Sequence, residues 1–227
     1  MSKKVKIILS SFLVIIIGIV ATIYVEFAGL PWKKQTVGNE ILHYLENKYN
    51  EEFVIDKRFY NFKDSSYNIK VHPKNNPSVQ FNAGEGYGEY HFVDYYAEAL
   101  WEKQATEDFK SIIEKHFPEK QHFRANAVYG DGMDLVKRPP IPHYSKTKAF
   151  IMLGINIPTN FSKSEGDFKK MLAVVKSMQE VGGNIELFIS YGPEDDSKNM
   201  TYATFTPEEV KKIKSIEDIK RYYNNVQ

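Results

Sequence analysis

The chain has 227 residues, 42% of them apolar, with 30 Lys and Arg against 29 Asp and Glu and no cysteine. This near-neutral balance offers no basic stripe for nucleic acid. The missing thiols exclude disulfides and cysteine nucleophiles.

Lys3, Lys4 and Lys6 precede an uncharged run at residues 7–25, and Glu26 closes it. Thirteen of those 19 residues are Ile, Val, Leu or Phe. At 1.5 Å per residue the run measures roughly 28 Å, close to the hydrocarbon thickness of a bilayer. The competing reading is a cleaved signal peptide, whose apolar region is shorter and ends in small residues. Here the best small residue after the run is Ala28, which puts Glu26 where a small side chain is wanted. The expected organisation is a cytoplasmic basic tip at 1–6, a single-pass transmembrane anchor at 7–26, a linker at 27–35 and an extracytoplasmic body at 36–227. Orientation follows from the positive flank, which stays inside. Lys33 and Lys34 on the far side are outweighed by three lysines and the amino terminus. Tyr24, Phe27 and Trp32 fall at headgroup depth, where aromatic rings are favoured. Without Lys3, Lys4, Lys6 and Glu26, the body keeps 27 basic and 28 acidic side chains.

Val37, Ile41, Leu42, Leu45 and Tyr49 predict an amphipathic helix over 36–50. Strand-like runs follow at 52–62, 66–72 and 78–83, separated by Asp64-Ser65-Ser66 and the proline-flanked 73–77, so an antiparallel meander is expected. A second helix is predicted over 93–117, with Phe109, Ile112, Ile113 and Phe117 as its apolar stripe and Pro118 as its stop. Next come a strand at 122–129, an extended three-proline segment at 137–144 and an apolar central strand at 149–157. Ser164 caps a helix that runs to Val181, with Gly182-Gly183 at its end. Strands at 184–191 and 200–205 flank Glu194-Asp195-Asp196. Thr206 and Pro207 open a last helical stretch, which Ser215 restarts. The fold class is α+β: an N-terminal transmembrane helix, then antiparallel meanders packed against amphipathic helices, with no crossover connection required.

The most unusual stretch of the body is GEGYGEY at 84–90. A dinucleotide fingerprint needs a third glycine one residue later, inside a parallel unit, and has no acid at the phosphate. The functional reading is a surface loop for a protein partner, built from Glu85, Tyr87, Glu89, Tyr90, Asp94, Tyr95 and Tyr96, because tyrosine gives rigid amphipathic contact area. The bland reading is a turn whose glycines satisfy the backbone while the tyrosines pack. The six histidines show no metal spacing, so no metal and no cofactor are expected. His116 and His122 read as solvated or capping groups. Asp131 and Asp134 lack the ligand spacing of a calcium loop and read, like Glu194-Asp195-Asp196, as solvated turns. The run 138–142 reads as a spacer or edge strand. No G-x-S-x-G elbow occurs, and no carboxylate pair stands out as acid and base.

The phrases YLENKYNEEF at 44–53, VHPKNNP at 71–77 and Asp94-Tyr95-Tyr96 through Trp101 resemble small exported proteins of Gram-positive bacteria, membrane-anchored or lipoprotein-type and without an assigned function. The likeness covers residues 36–110. In layout the chain also resembles the TipC-type immunity proteins, which neutralise a toxin outside the membrane, although no contact residue carries over. A lysine-to-arginine ratio of 26 to 4 and the cysteine-free body agree with a low-GC Gram-positive source. The expected role is a membrane-anchored extracytoplasmic protein-binding module, an immunity or envelope-stress factor. The alternatives are a small-ligand or lipid-binding envelope protein and a carboxylate-dependent envelope hydrolase. Partners are the bilayer, through residues 7–25, and an extracytoplasmic protein, with no nucleic acid.

Overall fold

In the computed structural model, which describes residues 3–128, 130–193 and 200–223, the apolar run lies within helix α1 (Lys3–Ala28). This helix is long and apolar enough to cross a membrane, and none of its apolar window is buried against the rest of the protein. The architecture is α+β, with sheets packed against amphipathic helices. Contacts divide the chain into two compact units, Met1–Asp94 and Tyr95–Gln227. Glu194-Asp195-Asp196 lies outside the described residues.

In the first unit, α1 ends at Gly29 (φ +66°), whose N–H donates to the Val25 carbonyl at 2.8 Å. A side chain there would also collide with Tyr60, whose Cγ lies 2.7 Å from where a Cβ would sit. Glycine is required on both counts. Helix α2 (Pro31–Tyr49) begins five residues before the predicted 36, with Pro31 in its first turn. Proline suits that place because its missing N–H would have no partner there. The Leu30 N–H donates instead to the Tyr67 hydroxyl at 3.0 Å. Asn50 ends α2 in the left-handed conformation.

Strands β1 (Phe53–Asn61), β2 (Ser66–Pro73), β3 (Phe81–Glu85) and β4 (Phe92–Asp94) form an antiparallel sheet in chain order. Pairing of β1 with β2 slips between Ile55 and Lys57, so Asp56 bulges. The alternation at Tyr67, Ile69 and Val71 puts all three in the core, against Ile41 and Leu45 at helical spacing on α2. Full burial of such a side chain stabilises by about 1.5–3 kcal/mol.

The second unit begins with α3 (Tyr96–His116), whose Trp101, Phe109 and Ile113 are wholly buried. Then come β5 (His122–Ala127), the single-turn α4 (Asp131–Leu135), a 3₁₀ turn (Tyr144–Lys146), β6 (Phe150–Ile157), α5 (Glu165–Val181), β7 (Asn184–Tyr191), β8 (Thr201–Phe205), α6 (Pro207–Lys212) and α7 (Ile216–Tyr223). The sheet order is β5-β6-β7-β8. Ser164 caps α5 by accepting from the Asp167 N–H, and Thr206 caps α6 in the same way through Glu209.

One pairing departs from the expected meander. Strands β6 and β7 run parallel, in register from Phe150 opposite Asn184 to Ile157 opposite Tyr191, and α5 connects them. Parallel neighbours need a connection of a dozen or more residues. The capped helix between two apolar runs supplies it.

Candidate functional site

The loop 86–91 joins β3 to β4, so it is a hairpin connection between strands. Gly86 donates its N–H to the His91 carbonyl at 2.9 Å, and the Tyr90 N–H reaches the Tyr87 carbonyl at 3.4 Å. A Cβ on Gly86 would lie 2.3 Å from the Tyr90 carbonyl oxygen, which is why the turn needs glycine. Glu85 sits at the base of the loop and accepts from the Tyr67 N–H at 2.6 Å. Tyr87 donates its hydroxyl to the Asp64 carbonyl at 2.9 Å while 65% of its surface stays exposed. Tyr90 is 44% exposed, and Glu89 is exposed beside it.

The other members of the predicted group lie elsewhere. Asp94, at the end of β4, is only 1% exposed. It accepts from the Tyr49 hydroxyl at 2.7 Å, the Lys48 ammonium at 2.8 Å and the Tyr44 hydroxyl at 3.1 Å. Lys48 also stands over the Tyr49 ring, 4.9 Å from its centroid. Asp94 is thus the internal node that ties β4 to α2 rather than part of a surface. In the second unit, Tyr96 is buried and Tyr95 half-buried. The exposed members of the predicted patch are therefore Tyr87, Glu89 and Tyr90.

Beside them the structure places residues the sequence reading did not single out. Glu40, His43, Tyr44 and Asn47 share one face of α2 at helical spacing. With Glu89, Tyr90, His91 and Phe92 they line a concavity of about 430 Å³. Tyr44 and Phe92 form its aromatic floor, ring centroids 5.6 Å apart. Burial, with the Asp94 carboxylate next to it, pushes the Tyr44 phenol far above its usual range. Its hydroxyl donates to Asp94. Glu40 and Glu89 are both exposed at the rim. The groups on offer are three aromatic rings, two imidazoles, an amide and two exposed carboxylates. The signal for this face was the run His43-Tyr44 and Asn47, opposite the apolar stripe of α2.

Polar groups in the second unit mostly organise backbone. Glu98 on α3 is 1% exposed and accepts from the Gly130 and Gly132 N–H groups at 2.9 and 3.1 Å. Asp131 accepts from the Phe150 N–H at 2.9 Å. The glycine–aspartate segment is therefore pinned into α4 and is not the solvated turn expected. Glu102 accepts from the Ala127 N–H at 3.1 Å, and burial pushes its carboxyl above the usual range. Burial also raises Glu186, next to Glu209. The proline-rich segment acts as a spacer: the Pro142 carbonyl accepts from the Trp101 indole at 2.9 Å. His143 brings Nδ1 to 2.9 Å from the Ser145 hydroxyl and Nε2 to 3.4 Å from Asp108, which also accepts from Tyr144 at 2.6 Å. Serine, imidazole and carboxylate are the ingredients of a nucleophilic triad. Here the imidazole serves as the N-cap of the 3₁₀ turn, because it also accepts from the Ser145 N–H two residues on. Among the described residues no cluster of three His, Asp or Glu groups is placed to hold a metal.

The molecule is thus an α+β protein with an N-terminal apolar helix and a concave aromatic face on its first unit. Residues 4–84 match the model of the YfjL-like N-terminal domain, a match that runs from α1 into β3. A crystal structure of a DUF5037 family protein from Ruminococcus gnavus is similar over 82% of this chain and 98% of its own length, at 14% identity and a TM-score of 0.41. No curated protein matches. Both likenesses are to uncharacterised families.

Proposed function

We propose that this chain is a membrane-anchored binding module of a Gram-positive envelope, with α1 as a single-pass anchor, its amino terminus in the cytoplasm and both units outside. The length and unburied apolar surface of α1 support the anchor, and Lys3, Lys4 and Lys6 support the orientation. The partner is an extracytoplasmic protein, and the role is that of an immunity or envelope-stress factor. The observation that carries this reading is the pairing of exposed Tyr87 and Tyr90 with the concavity on α2. The loop is held by its own hydrogen bonds and seated on the Asp94 node. Rigid, half-exposed tyrosines beside a hollow suit the centre of a protein interface. A small ligand is the second reading, because a hollow of about 430 Å³ with an aromatic floor and several polar groups around it lies within the usual range for ligand sites.

The test is capture from envelope extract by the full tagged chain, beside Tyr90→Ala and Glu89→Ala variants. A single stoichiometric protein, held by the wild type and at least about tenfold more weakly by Tyr90→Ala, is expected. Capture indifferent to both substitutions would sink the site. A blank with folded bait would turn the reading toward the ligand.

A further inference from the structure

Four exposed aromatic side chains gather around the end of α1. Tyr24 and Phe27 come from the helix itself, Trp32 from the start of α2, and Phe62 from the β1–β2 turn. Phe62 is 51% exposed, yet its ring meets that of Phe27 with centroids 5.3 Å apart. An exposed phenylalanine at the tip of a turn is costly in water. Here it packs on Phe27, which stands two residues beyond an apolar stretch of bilayer length.

The junction is also stiff. Gly29 is pressed against Tyr60, and the Leu30 N–H is held by the Tyr67 hydroxyl at 3.0 Å. Both tyrosines flank the β1–β2 turn, so the turn is fixed to the end of the helix. At this junction Ile16, Val20, Tyr24, Leu30 and Trp32 line an apolar hollow of about 530 Å³. Lys33 and Lys63 are exposed next to Trp32 and Phe62. Aromatic rings flanked by lysines match the layering of a lipid interface, where rings sit at the glycerol level and ammonium groups reach the phosphates.

We propose that the β1–β2 turn is a second membrane contact, with Phe62 and Lys63 seated in the headgroup layer beside Phe27 and Trp32. The first unit would then rest on the bilayer rather than hang from a tether. The occupant of this aromatic surface is the lipid itself, because the surface is continuous with the helix that enters the membrane. This inference rests on the reading of α1 as a membrane span.

The test uses the absence of cysteine. Val14→Cys, Lys63→Cys and Asn75→Cys are each introduced into the full chain and labelled with an environment-sensitive fluorophore. Asn75 is exposed in the β2–β3 connection, at the other end of β2 from the β1–β2 turn. The labelled proteins are reconstituted in phosphatidylcholine–phosphatidylglycerol vesicles carrying nitroxide lipids at the headgroup or deep in the acyl chain. The expected result is quenching of the residue 14 label by the deep nitroxide, quenching of the residue 63 label by the headgroup nitroxide, and none at residue 75. If residue 14 is quenched and residue 63 behaves like residue 75, the span stands and the second contact is overturned. If residue 14 is not quenched by the deep nitroxide, the span reading itself fails, and this inference with it. Equal headgroup quenching at 63 and 75 would mean general adsorption and would overturn it too.

Discussion

Asp94 and Glu98 are four residues apart in the chain, each 1% exposed, and they belong to different units. Asp94 gathers side-chain donors, two phenols and an ammonium, all from the last turns of α2. Glu98 gathers backbone donors, the N–H groups of Gly130 and Gly132. A buried carboxylate must be paired or hydrogen-bonded. Asp94 meets that requirement with both of its oxygens, whereas both backbone donors to Glu98 reach the same oxygen, Oε1. The two solutions do different work. Side-chain donors join two elements and so support the loop that β4 carries. Backbone donors impose a shape on one loop.

The comparison can be broken most sharply at Asp94. Asp94→Ala strands Lys48, which is 16% exposed, and two phenols. It should cost about 3 kcal/mol, as removal of one partner from a buried pair does. Denaturant unfolding of the full chain measures it. A loss under about 1 kcal/mol would mean that the three donors find water, against the reading of Asp94 as a node.

Glu98→Ala should cost less, about 2 kcal/mol, since two backbone donors lose their acceptor but lie at the start of the single-turn α4, which can rehydrate. Hydrogen exchange resolves the difference in kind. Protection should fall at Gly130 and Gly132 in this variant, and along α2 and β4 in Asp94→Ala. The same exchange pattern in both variants would dissolve the distinction.

The smallest effect is expected at Glu102, whose carboxyl is raised by burial. With the folded pKa above the unfolded one, its contribution to stability is full below the unfolded value. It is lost as pH rises through the folded value. Glu102→Gln keeps an acceptor for the Ala127 N–H and removes the ionisation. The variant should show a flatter dependence of melting temperature on pH from acid to neutral. An unchanged slope would assign the pH response to other groups.

Local chemistry made much of the fold legible. Ser164, Gly182, Thr206 and Ser215 mark helix ends because a cap needs only residues three or four positions away. Burial of Tyr67, Ile69 and Val71 followed from their alternation. What escaped is non-local or short. Strand β4 has three residues, too few for a period, so the sequence pattern runs it into the start of α3. The partners of Asp94 lie 45 to 50 residues upstream, so no spacing could set it apart from a surface acid. Tyr96 has the same side chain as Tyr87, but a helix facing a core buries one and a hairpin tip exposes the other. The parallel pairing of β6 and β7 shows in the pattern only as a capped helix between two apolar runs, which antiparallel strands can also flank.

Strand β1 also stands first in its sheet, so one side of its backbone has no strand neighbour among the described residues. Such a strand invites another copy to stack on it. The bulge at Asp56 breaks the spacing that an incoming ladder would need, and Asp56 and Lys57 both put exposed charge at the break. The same irregularity that bends β1 therefore guards the protein against edge-to-edge aggregation.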